Sequence, residues 1–429
     1  MASPKIVVVG NSYSAAAVFN YLESALVTLR EPYDLLLISG KNHYINNELL
    51  SQYLCDSCSL EDTCQWFRGV VFLRPGVSYL EADITNIDFQ AKTLLTSKGV
   101  INYQYLILAP ENDVFEEISG KSKGDYSIVK NLSDVLKLRT KILSNLEKSV
   151  FENDEEAKQS LLSFSVIGSD RQGIQLICSI SDFVTRLLKH YYPEIKKSSL
   201  KFNLIDENDL LALNKNPYYN NKLLYNLNKK NITLHTKSKV VKIDSEQIDF
   251  SDKDKIPSGI TILTQINSYS SLLDTIFNSN KSFKSCNVDL YMKIESFDDV
   301  FMIGELANSL DLGEGIQKTN LFYKTQAKVC ALNIAAKINN LTMKPFKPDL
   351  QMEFISLGYR NSLLEFKNIC IDGIVAWFMH RLQFVFCSLS WKKKLRAFVG
   401  LMCNILGLSD FEHMNIYELK SSKQVVKNK

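Results

Sequence analysis

The chain has almost no charge imbalance: 50 Lys and Arg against 47 Asp and Glu leave a formal net charge of +3 over 429 residues. So even a balance gives no global attraction for nucleic acid, and an anionic partner has to be met by a local cluster. Cysteine is sparse as well. Nine thiols are too few for a disulfide scaffold of this length, and an odd number fits a reducing compartment. No apolar run reaches the roughly 18 residues of a membrane-spanning helix. The longest tract, Ile374 to Leu389, is interrupted by His380, Arg381 and Gln383. The opening MASPKIVVVG lacks a charged n-region, an apolar h-region and a small-residue cleavage site, so no secretory leader is expected. The five histidines (His43, His190, His235, His380, His413) form no ligand set or catalytic pair, which leaves the metal ligands at none. Neither a Gly-x-Ser-x-Gly elbow nor a phosphate-loop lysine is present.

What is there reads as a packed globular chain, 45% hydrophobic and 23% charged. Lys5-Ile6-Val7-Val8-Val9 is a continuous β-branched run, the pattern of a strand buried on both faces. A turn over Gly10 to Ser14, a helix over Ala15 to Leu29 and a second buried strand over Tyr33 to Ser39 complete a parallel β-α-β unit. The same order recurs about 155 residues later, with Phe164–Ile167, a turn at Gly168, a helix from Ile174 to His190 and a strand over Phe202–Asp206. A third buried strand, Asp299–Ile303, ends in Gly304-Glu305. The polar stretches Glu152–Ser160 and Ser251–Pro257 read as surface loops or junctions.

Dinucleotide turns place glycine three times: for the tight turn, for close approach of backbone to pyrophosphate, and for packing helix on strand. An acidic residue at the end of the next strand then holds a ribose. The first turn keeps Gly10, has Ser12 at the second place and Ala15 at the third, and its following strand ends in Ser39 rather than an acid. The second keeps Gly168 and Gly173, with Asp206 ending the next strand, but Asp170 stands where phosphate approaches most closely. A carboxylate there both crowds and repels a pyrophosphate.

Two other patterns stand out. Cys55-x2-Cys58-x5-Cys64 allows three readings: ordinary thiols in a loop or cap, a redox dithiol, or a zinc site short of a fourth ligand. Near the C-terminus, the tract Trp377, Phe378, Leu382, Phe384, Val385, Phe386, Leu389 and Trp391 precedes Lys392, Lys393, Lys394, Arg396 and Phe398. An apolar helix pair beside a basic cluster suits the interface of an anionic leaflet. The alternative is a helix pair packed on the body of the protein or against a second copy in a homodimer, with the basic turn solvated.

Together these elements resemble the type II NADH dehydrogenase family, two-dinucleotide-domain flavoproteins that reduce quinones. Within it they look closest to the cyanobacterial and plastid branch that includes demethylphylloquinone reductase. The resemblance runs from about Lys5 to Leu406. It is carried by Ser39–Leu50, by Tyr105-Leu106-Ile107-Leu108-Ala109-Pro110-Glu111, by His190–Glu194 and Phe202–Leu211, by Val300-Phe301-Met302-Ile303-Gly304-Glu305, by Gln317-Lys318-Thr319 and by Phe354–Gly358. It implies an α/β fold of two dinucleotide-binding (Rossmann-like) domains, the second inserted in the first, plus a C-terminal helical membrane-docking segment. The expected division is 1–130 with 286–345 for FAD, 131–285 for NAD(P)H, and 346–429 for the membrane.

FAD would lie on Gly10, Ser12, Ala15, Ser39, Ala109, Gly304 and Glu305. NAD(P)H would lie on Gly168 and Gly173, with Asp206 on its ribose and NADH favoured. Lys318 and Glu305 would stand nearest the flavin as the catalytic pair. The acceptor would be a membrane quinone, and attachment would be peripheral, through Trp377–Phe398, on the cytoplasmic side of a membrane (a thylakoid in a photosynthetic cell). Two competing classes remain open: a catalytically inactive, membrane-associated scaffold, and a flavoprotein with another electron partner that uses Cys55 and Cys58.

Overall fold

The β-branched runs become the centres of two parallel sheets. The computed structural model describes residues 5–29, 33–70, 75–111, 114–115, 125–208, 216–252, 254–264, 268–279, 287–295, 297–309, 319–348, 352–367 and 369–406. In the first sheet the order is Val300–Met302, Tyr105–Leu108, Lys5–Val9, Asp34–Ser39, Val77–Glu81, all parallel. Lys5–Val9 is central, with Val9 opposite Ile38 on one side and Leu108 on the other. Its side chains are buried on both faces because both faces are covered. The helices Tyr13–Leu29 and Asn320–Ile338 lie on one face, and Ala15, Ala16, Ala17, Ala327 and Ala331 let the two axes approach. The antiparallel strands Ile84–Asp88, Thr93–Thr96 and Gly99–Asn102 supply Ile87 and Leu94 to the core of the other face.

The second sheet runs Ser127–Ile128, Ile260–Leu263, Ser163–Ile167, Lys201–Ile205, Ile232–His235, again all parallel. Helices Leu132–Phe151 and Arg171–Tyr191 pack on it through Leu138, Ile142, Ile177 and Phe183. The stretch expected as a loop at Glu152–Ser160 instead contains a helix, Glu155–Leu161. The Asp154 carboxylate accepts from the Glu156 and Ala157 amides at its start, a cap the high polarity had obscured. The polar stretch Ser251–Pro257 ends in strand Lys255–Pro257, paired with Gln247–Phe250.

The last described part is an antiparallel sheet, Met352–Ser356, Ser362–Phe366 and Ile369–Gly373, followed by helices Ile374–Cys387 and Trp391–Leu406. The polar interruptions of the apolar tract point inward. His380 stacks on Phe354 with centroids 5.0 Å apart, and Arg381 pairs with Asp62 at 2.9 Å. Trp377, Phe384 and Val385, expected on an apolar surface, are buried, Phe384 and Val385 beside Tyr13, Tyr44 and Leu49. The apolar residues that do face outward are Ile374, Val375, Met379, Phe386, Trp391, Leu395, Phe398, Val399 and Ile405.

Candidate functional site

Both glycine turns lie at the carboxyl ends of central strands, where open α/β sheets bind ligands. At the first, Gly10 has φ +153 and donates its N–H to the Ile38 carbonyl at 3.0 Å. A Cβ at Gly10 would overlap the Ala109 carbonyl oxygen, so only glycine lets strand and turn approach so closely. Ser12 does not project into the cleft as an obstacle. Its hydroxyl donates to the Ala109 carbonyl at 3.2 Å and accepts from the Ala15 N–H at 3.2 Å, so it caps the helix that begins at Tyr13. Ser39 is 3% exposed, and its hydroxyl donates to the Lys41 carbonyl at 2.7 Å and accepts the Lys41 N–H at 3.2 Å. It is occupied by its own turn and offers no replacement for a ribose acid.

Two clefts flank this turn. One, of about 330 Å³, is lined by Gly10, Asn11, Ser39, Gly40, Lys41, Asp83 and Ser271 among others. The second, of about 240 Å³, is lined by Ser12, Ser14, Asn46, Glu48, Glu111, Glu305, Asn320 and Tyr323. Gly304 is fixed at its edge by donating its N–H to the buried Gln326 Oε1 at 2.9 Å. Glu48 accepts from the Asn320 amide at 3.2 Å and from the Asn320 side chain at 3.1 Å. Burial raises the Glu48 carboxyl above its ordinary pKa, and the Arg171 guanidinium and the Asn320 N–H pull it partly back. Burial also raises the Tyr323 phenol, with the Glu305, Glu48 and Glu111 carboxylates adding to it. A glycine-cradled backbone with clefts on both sides fits an extended dinucleotide such as FAD. Lys318 and Gln317 lie outside the described residues, while Thr319 caps helix Asn320–Ile338 through the Phe322 N–H at 3.4 Å.

The second turn differs in kind. Gly168 has φ +115 and donates to the Ile205 carbonyl at 2.8 Å, as a nucleotide turn requires. Asp170 then caps helix Arg171–Tyr191: its Oδ1 accepts from the Gly173 N–H at 3.0 Å and from the Thr264 hydroxyl at 2.8 Å. The anion position of a helix N-terminus is thus held by the chain's own carboxylate. Asp206 is 4% exposed and inward-facing, accepting from the Ser169 N–H at 2.6 Å, the Ser169 hydroxyl at 2.5 Å and the Asn208 N–H at 2.7 Å. Its carboxylate organises the turn rather than presenting itself to a ribose. As it stands, this turn does not fit a pyrophosphate. The cap was readable in the sequence, since Asp170 precedes Gly173 by three residues at a helix start. The residues lining the second cleft from Asn46, Glu48 and Tyr323 carried no such signal.

Among the described residues the three cysteines form no metal site. Cys55, Cys58 and Cys64 are all free. Burial pushes the Cys55 thiol up to about 11 and the Cys58 thiol up to about 12, so neither is a thiolate at neutral pH. Among the described residues no group of three or more His, Cys, Asp or Glu could hold a metal ion. Also among them, no helix is long and apolar enough to cross a membrane.

No family model matches the chain. Comparison with individual proteins is more informative. The chain is 21% identical over 414 residues to a protein of Dictyostelium discoideum named "Probable NADH dehydrogenase", covering 92% of this chain and 87% of that one. It is also 21% identical over 433 residues to an internal alternative NAD(P)H-ubiquinone oxidoreductase, mitochondrial, of Arabidopsis thaliana, covering 91% and 82%. Among solved structures it shares the fold of NDH2 from Plasmodium falciparum in complex with NADH, with a TM-score of 0.74, 17% identity, and 94% and 98% of the two chains covered. These relatives do not single out the cyanobacterial and plastid branch.

Proposed function

We propose that this chain, a divergent relative of the alternative NAD(P)H–ubiquinone oxidoreductases, passes electrons from NAD(P)H through bound FAD to a membrane quinone. The observation that carries this reading is the glycine-cradled cleft at Gly10, set in a chain whose relatives match it over nine-tenths of its length. When bound, FAD supplies the two-electron chemistry between the two substrates. Gly10, Ala109 and Gly304 shape its backbone cradle, Ser12 offers a hydroxyl at the helix N-terminus, and Glu305 stands at the flavin-side cleft. Lys318 is assigned beside the flavin by resemblance. Residues 1–130 and 286–345 form the FAD unit in this reading, and 131–285 the NAD(P)H unit. A non-catalytic scaffold has no counterpart in the names of the relatives reported above.

Membrane attachment is part of the proposal. Helix Trp391–Leu406 carries Trp391, Leu395 and Phe398 on one outward stripe, and Met379 and Phe386, seven positions apart, are exposed on the preceding helix. Exposed Lys392 and Lys394 flank that stripe, as suits a helix lying in the headgroup zone of an anionic leaflet. The attachment is peripheral, on the cytoplasmic side, and quinone reaches the flavin from there.

The test is the visible spectrum of the purified protein before and after added FAD, then anaerobically with NADH, then with a soluble quinone. Flavin bands that bleach with NADH and return with quinone are the expected result. A protein that stays colourless in excess FAD refutes the proposal.

A further inference from the structure

The first turn has lost its ribose acid, yet a carboxylate stands beside the vacated position. Strand Val77–Glu81 pairs with Asp34–Ser39 in parallel, with Ser39 opposite Glu81 and the Ala82 N–H bonded to the Ser39 carbonyl at 3.0 Å. The next residue, Asp83, therefore emerges at the same end of the sheet. Its backbone is held on both sides by Ser97: the Asp83 N–H donates to the Ser97 hydroxyl at 3.2 Å, and the Asp83 carbonyl accepts from the Ser97 N–H at 2.9 Å. Its side chain lines the cleft of about 330 Å³ together with Gly10, Asn11 and Gly40. Among the described residues the carboxylate has no ion-pair or hydrogen-bond partner, so both oxygens remain able to accept.

Gly40 makes the arrangement possible. A Cβ at that position would overlap the Asp83 Oδ1, so any other residue following Ser39 would push the carboxylate away. The missing acid at Ser39, the bare Gly40 and the acid at Asp83 thus belong to one arrangement, in which the neighbouring strand supplies what the usual strand does not. We propose that Asp83 is the residue that holds the adenosine ribose of FAD, its carboxylate accepting from the vicinal diol. Asp83 is then a positioning residue for the dinucleotide half of the cofactor and has no role toward the flavin ring. This inference rests on the flavin reading above.

Equilibrium titration with FAD and with FMN, followed by flavin fluorescence, separates the two. FMN carries the same ring and ribityl chain but no adenosine, so a ribose contact affects FAD alone. Wild type is expected to bind FAD more tightly than FMN. Asp83→Asn is expected to weaken FAD by on the order of 10- to 100-fold, the range of a hydrogen bond to a charged group, with FMN unchanged. Gly40→Ala, which displaces the carboxylate without removing it, is expected to act in the same direction. If Asp83→Asn binds FAD as wild type does, or loses FAD and FMN equally, the assignment of Asp83 is overturned while the flavin reading stands. If wild type binds neither ligand, the flavin reading itself fails and this inference with it.

Discussion

Replacing Asp170 by Asn is expected to tighten NADH binding while leaving the second unit folded. The Asp170 Oδ1 accepts from the Gly173 N–H at 3.0 Å and the Thr264 hydroxyl at 2.8 Å. Asn offers an oxygen of the same geometry and ranks with Asp as an N-cap, so only the charge is lost. That charge contributes about 0.3–1 kcal/mol through the helix dipole. The melting temperature should therefore fall by no more than about 2–4 °C. The same charge faces the pyrophosphate of any nucleotide that settles on the turn. At about 4 Å in water a pair of like unit charges repels by about 1 kcal/mol, and a pyrophosphate carries two. Removing roughly 2 kcal/mol of repulsion corresponds to about 30-fold tighter binding. Nicotinamide fluorescence during NADH titration of wild type and Asp170→Asn at low salt measures the difference. Repeating it near 1 M salt, where the screening length shrinks to about 3 Å, should close the gap. Equal affinities at low salt would refute the argument, because they would mean that the Asp170 charge does not face the nucleotide.

Three further outcomes follow from the geometry. Gly173→Ala sets a Cβ against the Gly168 carbonyl oxygen, a backbone atom that cannot give way, and should lower stability by about 1–3 kcal/mol in chemical denaturation. His380 is buried against Phe354 and Ser362, and burial, together with the Arg171 and Arg381 charges, holds its imidazole well below the ordinary pKa. The unfolded chain then binds a proton that the folded one refuses. The His380 contribution to stability is complete above about pH 6.5 and is lost as pH falls below it, with a slope of up to about 1.4 kcal/mol per unit. His380→Gln should flatten that part of the pH–stability curve, and an unchanged acid limb would exclude His380 as its source. The triple substitution Trp391→Ser, Leu395→Ser and Phe398→Ser removes the outward stripe of the last described helix and should abolish co-sedimentation with anionic vesicles. Circular dichroism should be preserved, since none of the three is buried.

The strands were legible because a sheet covered on both faces demands an unbroken apolar run, and Ile6-Val7-Val8-Val9 and Leu35-Leu36-Leu37-Ile38 have little other use for one. The helix starts were less legible: Ser12, Asp154 and Asp170 accept from orphan amides at the first turn, but in sequence they read as obstacles to phosphate or as loop polarity. Contacts between separate strand ends were not legible. Gly40 and Asp83 are 43 positions apart and meet only because their strands pair in one register, and local sequence does not encode that register. The polar face of helix Ile374–Cys387 escaped for the opposite reason. His380 and Arg381 read as interruptions of an apolar surface, whereas the body of the protein supplies Asp62 and Ser362 to receive them.

The two degenerate turns, similar as sequence, therefore differ as chemistry. Ser12 and Asp170 both cap their own helices, and both sit where a nucleotide fold expects bare backbone. Ser12 is neutral and carries a hydroxyl that can donate to a phosphate once the Ala109 carbonyl releases it, so the first turn stays compatible with an anion. Asp170 carries the charge the ligand would bring, and Thr264 and Gly173 already satisfy it. On the proposed flavin reading, the first turn keeps its cradle and takes its acid from Asp83, beyond the end of the neighbouring strand. The donor side has filled its anion position from within. On that reading the two turns predict opposite behaviour, an uncharged first turn open to an anion and a second whose Asp170 charge opposes one, and the salt-dependent NADH titration of Asp170→Asn separates them.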